Sequence, residues 1–229
     1  MTTPLPRWPL DVTARTPAPA TLAGAALPDR IALLRRHRVE GLTVAFQPYG
    51  REFGDSLRTL RNLPANKAGL AQAADITPEG QRAWEDGYFA RTDDLCWILL
   101  LPGPHPFAGS VSLYDIGAES AETGRLVVRE EAARSTPVIA ECELMVQWLA
   151  FAWLGLPRIT ARVQPGNAKM VAMHERLGFR VTGPSEIRGV PYLRLEAGAS
   201  DFRPEPHARV LRHAQNRAAG RNPGSTPGG

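Results

Sequence analysis

His174 is the side chain in this 229-residue sequence whose type and setting best suit proton transfer, because imidazole titrates near neutral pH. It lies in NAKMVAMHERLGF (167–179). That stretch reads as one short helix: Asn167 caps the first turn through its side-chain oxygen, and Gly178 takes the left-handed stop. Met170, Met173 and Leu177 recur at helical spacing and should face a core, so His174 is either a buried helix histidine or a proton donor. Arg61 and Asn62 close an earlier helix. An arginine there can hold a phosphate in bidentate fashion, but Arg and Asn also suit a helix C-terminus on their own account. Trp84 and Tyr88, one turn apart, could stack on a sugar or base, or pack on a sheet. Arg134, Ser135 and Thr136 precede a helix start whose free N–H groups and dipole favour an anion. Glu122 opens a strand, where pairing with Arg125 or Arg129 is the plain reading.

These residues need elements to position them. GLTVAFQPYG (41–50) alternates as a strand, and Phe53, Leu57 and Leu60 have helical spacing up to Asn62, before Pro64. DITPEGQRAWEDGYF (75–89) is a helix with Thr77 at its cap and Pro78 at its first position. LCWILLL (95–101) is a continuous apolar run, as in a strand buried on both faces. FAGSVSLYDI (107–116) and ETGRLVVRE (122–130) follow as an antiparallel meander. PVIAECELMVQWLAFAWLGL (137–156) is the strongest helix, with Met145, Trp148, Leu149, Ala152 and Trp153 as its apolar stripe and Gly155 at its end. A strand over 157–167, the His174 helix, and two strands around Ile187–Val190 complete the order. The expected architecture is a single α/β domain. Its mixed, mostly antiparallel sheet should have about seven strands, flanked by about four helices.

Residues 1–40 are rich in Pro and Ala and read as a largely disordered extension, although 31–41 could form a short helix. Residues 41–197 read as the domain, and 198–229 as a disordered basic tail. The chain has 27 Lys and Arg against 23 Asp and Glu. The two flanks together hold +6 and the domain −2, so the basic pI belongs to the flanks. Nucleic acid therefore ranks last among partners, since it wants its basic residues on a folded face. The sequence lacks an apolar run of membrane-spanning length and a secretory pattern. Cys96 and Cys142 lack CxxC spacing, so neither a disulfide framework nor a metal site is expected. A cytoplasmic protein with reduced thiols is the resulting expectation.

The second half is similar in wording to the GCN5-related N-acetyltransferase (GNAT) superfamily, above all in AFAWLGLPRITARVQPGNAKMVAMHERLGFRVTG (150–183). The resemblance covers about residues 41–197. LRNLP, ITPEGQRAW, GSVSLYDI and AETGRLVV resemble the branch that includes nucleotide-amino-sugar and ribosomal-protein N-terminal acetyltransferases. The resemblance implies acetyl-CoA as cosubstrate, no metal, a small-molecule amine as partner, and it admits a homodimer. The pantetheine arm would run along Leu126, Val127 and Val128, with Asn167 contacting it. The pyrophosphate would sit on Arg134, Ser135, Thr136, Val138 and Ile139. Here the sequence departs from the family's Arg/Gln-x-x-Gly-x-Gly/Ala: Pro137 and Ile139 replace the small residues, and Pro137 removes a donor. His174 falls where the family often carries a tyrosine that protonates the leaving thiolate, and Glu122 where related enzymes often carry a base. Arg61, Asn62 and Trp84 fall on the substrate side. The expected function is acetyl transfer to a small-molecule amine, a nucleotide-linked amino sugar first. The alternatives are a protein N-terminus or another amine metabolite as acceptor, or a non-catalytic binding module with a degenerate coenzyme A loop.

Overall fold

The computed structural model describes residues 24–70, 72, 74–135, 137–218 and 220. Eight strands form one sheet: β1 (Val39–Glu40), β2 (Ala45–Pro48), β3 (Leu95–Leu100), β4 (Phe107–Tyr114), β5 (Ala121–Val128), β6 (Arg158–Val163), β7 (Arg180–Ile187) and β8 (Val190–Gly198). Their spatial order is β1-β2-β3-β4-β5-β6-β8-β7. Every neighbouring pair is antiparallel except β5 and β6.

The helices are α1 (Leu27–Leu34), α2 (Gly54–Asn62), α3 (Pro64–Gly69), α4 (Pro78–Ala90), α5 (Glu130–Ser135), α6 (Val138–Trp148), α7 (Ala168–Arg176) and α8 (Glu205–Ala218). The caps act as the sequence implies. Thr77 Oγ1 accepts from the Gly80 N–H at 3.0 Å, and Asn167 Oδ1 from the Met170 N–H at 3.3 Å. Gly178 has φ +95°, and a Cβ there would lie 2.4 Å from the Asp201 carbonyl oxygen, so only glycine fits. β3 is buried on both faces: Leu95, Trp97 and Leu99 join the main core cluster, whereas Cys96 and Ile98 join the cluster under α2 and α4. α6 is enclosed on nearly every side, then continues into a π-turn closed by Leu154 N–H to Leu149 O at 2.9 Å.

The flanks differ from the expectation. Ile31 and Leu34 of α1, Val39 of β1, Phe202, and Leu211 of α8 are all buried in the main core cluster. So residues 24–40 and 198–218 belong in part to the folded unit. Leu27, Ile31 and Leu34 do recur at helical spacing, but the run is short and Phe202 and Leu211 stand nine positions apart among Arg and Pro, which is why these segments read as tails. Residues 1–23 and 221–229 lie outside the described residues. Two further helices, α3 and α5, occupy stretches read as connections.

One feature of the sheet matters most for the site. β5 and β6 are in register only from Ala121 to Thr123 against Ile159 to Ala161, and beyond that they diverge. On its other edge β5 bulges: Ser110 pairs Val127 and Ser112 pairs Gly124, leaving Arg125 and Leu126 opposite Val111 alone. Arg125 has φ +53°, uncommon for a residue other than glycine.

Candidate active site

The wedge between β5 and β6 opens into a cavity of about 1030 Å³. Arg61 and Trp84 line one end of it, Leu126 to Val128 its wall, and Ile139, Asn167 and His174 the other side. Residues from distant parts of the sequence thus meet in one space. The cavity also reaches Ala133 and Ile139, at the junction of α5 and α6.

His174 is buried on α7. Its Nδ1 lies 2.9 Å from the Met170 carbonyl oxygen, and its Nε2 lies 3.6 Å from Glu143 Oε2. A carbonyl only accepts, so Nδ1 carries the proton of that hydrogen bond. Phe179 packs edge-on against the ring at 4.8 Å between centroids. Glu143, on α6, was not singled out by the sequence reading. It is 2 % exposed, and its Oε2 lacks a hydrogen-bond partner among the described residues. Burial pushes its carboxyl pKa up, and the nearby His174 offsets part of that. The signal in the sequence is a Glu inside IAECELMVQW, a helix apolar enough to be enclosed on all sides.

On the β5 wall, the Arg129 N–H donates to the Ala108 carbonyl at 2.7 Å. Alternation along the strand then turns the Val128 N–H away from β4, toward the wedge. Thr123 also lines the cavity, 1 % exposed, with an unpartnered Oγ1.

Glu122 faces the cavity but is fully engaged. Arg162 Nε and Nη2 donate to its two oxygens at 2.8 and 2.7 Å, and the Tyr114 hydroxyl donates to Oε1. Its partners are these two, and not Arg125 or Arg129. Arg125 instead pairs with buried Asp94 at 2.8 Å and lies over the Tyr114 ring at 4.0 Å. Burial raises the Asp94 carboxyl, with Arg125 opposing.

Arg61 lines the cavity, and its Nε is buried without a hydrogen-bond partner among the described residues. Burial pushes its guanidinium pKa down, and nearby Arg125 adds to this. Trp84 stacks on Tyr88 at 5.5 Å and 14°, with one face left to the cavity lining. Asn62 is a clamp and not a cavity residue: its Oδ1 accepts from the Ile76 N–H at 2.8 Å, and its Nδ2 donates to the Ile76 carbonyl at 3.0 Å. It holds the segment leading into α4.

The expected pyrophosphate stretch is rearranged. Residues 130–135 form α5, with Glu130 and Glu131 in its first turn. Arg134 is exposed and ion-paired to Glu130, and Val138 is fully buried. The Ser135 side chain and Thr136 lie outside the described residues. The first intrahelical bond of α6 is Glu141 N–H to Pro137 O at 3.0 Å, so the N–H groups of Val138, Ile139 and Ala140 precede it. The open wall of β5, the cavity volume and these N–H groups fit a long thioester with an anionic tail. The acidic first turn of α5 is the point of departure.

A family profile described as "Acetyltransferase (GNAT) domain" matches residues 57–180, more than half of the chain. The chain belongs to the GNAT acetyltransferase family. No curated protein matches this GNAT chain. Solved structures share its fold. A GCN5-related N-acetyltransferase from Brucella melitensis superposes with a TM-score of 0.64 at 18 % identity, covering 79 % of this chain and 95 % of the other. FdhC, a nucleotide-linked sugar GNAT solved without ligand, gives 0.63 at 20 % identity, covering 74 % and 95 %. Spermidine N-acetyltransferase from Vibrio cholerae, in complex with CoA and spermine, gives 0.62 at 16 % identity, covering 69 % and 97 %. Among the described residues, this GNAT domain has no group of three or more His, Cys, Asp or Glu that could hold a metal, and no helix long and apolar enough to cross a membrane.

Proposed function

We propose that the protein transfers an acetyl group from acetyl-CoA to the amine of a small molecule that also carries an anionic group, a nucleotide-linked amino sugar first. The observation that carries the anionic part is Arg61. It lies half-buried beside the cavity, its Nε enclosed without a hydrogen-bond partner and its guanidinium without a carboxylate partner among the described residues. Two of the three acids that line the same cavity are ion-paired, Glu122 with Arg162 and Asp75 with Lys67 at 2.6 Å, and the third, Glu143, is buried against His174. Little negative charge remains to hold a polyamine, although a structural neighbour is a spermidine enzyme. An enclosed N–H left without a partner is costly, and a phosphate or carboxylate on the acceptor would relieve it.

When bound, acetyl-CoA supplies the acyl group and a thiolate leaving group. The chain supplies the rest. The wedge wall at Leu126 to Val128 offers backbone groups to the pantetheine arm, and the Val128 N–H faces the wedge, where it can steady an oxyanion. Asn167 caps α7 and borders the same space. His174 gives its proton to the thiolate. In this scheme Glu122 is not the base, because both its oxygens are occupied by Arg162 and Tyr114. It fixes Tyr114 and Arg162, and water takes the amine's proton. Trp84 offers a ring face to the acceptor.

Calorimetric titration with acetyl-CoA, with desulfo-CoA as comparison, tests the reading. Micromolar binding is expected. No binding up to millimolar concentration would instead support a binding module whose α5 insertion disabled the cosubstrate site.

A further inference from the structure

α6 and α7 bring two titratable side chains together deep in the cavity, and the hydrogen-bond pattern around them fixes where the protons can be. The Met170 carbonyl claims the Nδ1 proton of His174, leaving Nε2 as the atom toward Glu143 Oε2 at 3.6 Å. If His174 is neutral, Nε2 is a bare acceptor. An ionised Glu143 would then face a lone pair at 2 % exposure, with nothing to compensate its charge. Either a proton on Glu143 or one on Nε2 removes that conflict, and both states have the same count: one proton between the two atoms. We propose that the pair holds one proton, carried on His174 Nε2 opposite an ionised Glu143, and acts as the acid that protonates the departing thiolate, with Glu143 as the positioning residue that keeps His174 loaded.

This rests on the acetyl-transfer reading above and adds a residue to it. The balance is closed. The C–S bond of the tetrahedral adduct breaks, the thiolate takes the Nε2 proton, and the amide C–N bond remains. The pair is left as neutral His174 and ionised Glu143. The proton lost by the amine to water restores it. His174 opposes the rise that burial causes at Glu143, and Glu143 adjoins Cys142, whose thiol burial pushes well up. The other titratable groups around the cavity are Arg61 from α2, Asp75 before α4, Tyr114 from β4, Glu122 and Arg125 from β5, Arg162 from β6, Arg188 from the β7–β8 turn and Tyr192 from β8. Asp75, Glu122, Arg125 and Arg162 are engaged in ion pairs of their own.

The test uses the full chain with ¹⁵N-labelled histidine, His174 being assigned by its loss in His174→Gln. In the wild type at pH 7, Nδ1 should be protonated and Nε2 should have the shift of a nitrogen that carries a proton. In Glu143→Gln, an isosteric change, Nε2 should become an unprotonated acceptor. Thiol release from acetyl-CoA to water should fall about 100-fold, with KM within about twofold. A wild-type ring protonated on Nε2 and bare on Nδ1 would overturn the proposal, as would identical Nε2 shifts in the two proteins. The wild-type spectrum alone decides the first point, whatever the variant's stability. Calorimetry with acetyl-CoA on both proteins separates the two failures. Binding to both with no change at Nε2 refutes the dyad, and binding to neither refutes the acetyl-transfer reading, and the dyad's catalytic role with it.

Discussion

Two carboxylates sit two positions apart on α6, both withdrawn from solvent at 0 % and 2 % exposure, and they face opposite circumstances. Glu141 turns to the β1–β2 connection. It accepts from the Leu42 N–H, from the Thr43 N–H at 3.0 Å, and from the Thr43 hydroxyl. Glu143 turns to the cavity, where its Oε2 meets a histidine beyond hydrogen-bond distance and has no hydrogen-bond partner among the described residues. Burial pushes both carboxyl groups up, but only for Glu141 do several hydrogen bonds push back. The difference separates architecture from chemistry: a satisfied buried carboxylate ties two elements together, and an unsatisfied one is poised for proton transfer.

The largest test of that division concerns the core around the structural side of α6. A chain trimmed to residues 41–197 loses Ile31, Leu34, Val39, Phe202 and Leu211 from the cluster that contains Met145 and Leu149. At about 1.5–3 kcal/mol each, that is on the order of 10 kcal/mol, comparable to a whole domain's stability. No cooperative melt should be seen by circular dichroism; a sharp one would break the comparison. Next, Glu141→Leu should leave the Leu42 and Thr43 donors unmatched, at about 3–5 kcal/mol, and lower the melting temperature by about 10 °C. Glu143→Leu should change stability by about 1 kcal/mol or less, or increase it, since replacing a poorly satisfied buried charge with an apolar group is often neutral. Equal losses for the two would erase the distinction. Third, His174→Ala should lower turnover about 100-fold with little change in acetyl-CoA affinity.

The smallest effect is in pH dependence. The Glu143 pKa is raised in the fold, so its stabilising contribution is present below its ordinary value of 4.5 and is lost as pH rises through the folded value. Glu143→Gln removes that slope. Its melting temperature relative to wild type should therefore increase from pH 4.5 upward in a calorimetric series. A parallel pair of curves would mean that Glu143 is not strained by burial.

Much of the frame was legible because local chemistry announces it. Thr77 and Asn167 cap where they should, Gly178 takes the left-handed stop, and the run from Leu95 shows its double burial as unbroken hydrophobicity. His174, Asn167, Trp84, Arg61 and the Leu126–Val128 strand do meet in one cavity. Other parts were not legible. Phe202 and Leu211 are lone anchors in a basic segment, without period. Asn62 looked like a substrate residue because a clamp on Ile76, fourteen positions on, has no signature in sequence. Glu122 was matched to Arg125 or Arg129 nearby in sequence because its true partner, Arg162, comes from another strand, forty positions away. Glu143 was hidden because its meaning depends on α7 packing across from it.

The most direct measurement is thiol release from acetyl-CoA over a panel of amines, with nucleotide-linked amino sugars set against spermidine, for the wild type and Arg61→Met. The account predicts turnover of the anionic amines alone, and loss of that preference in Arg61→Met. Preferred turnover of spermidine, or equal activity of the variant on both classes, would contradict it.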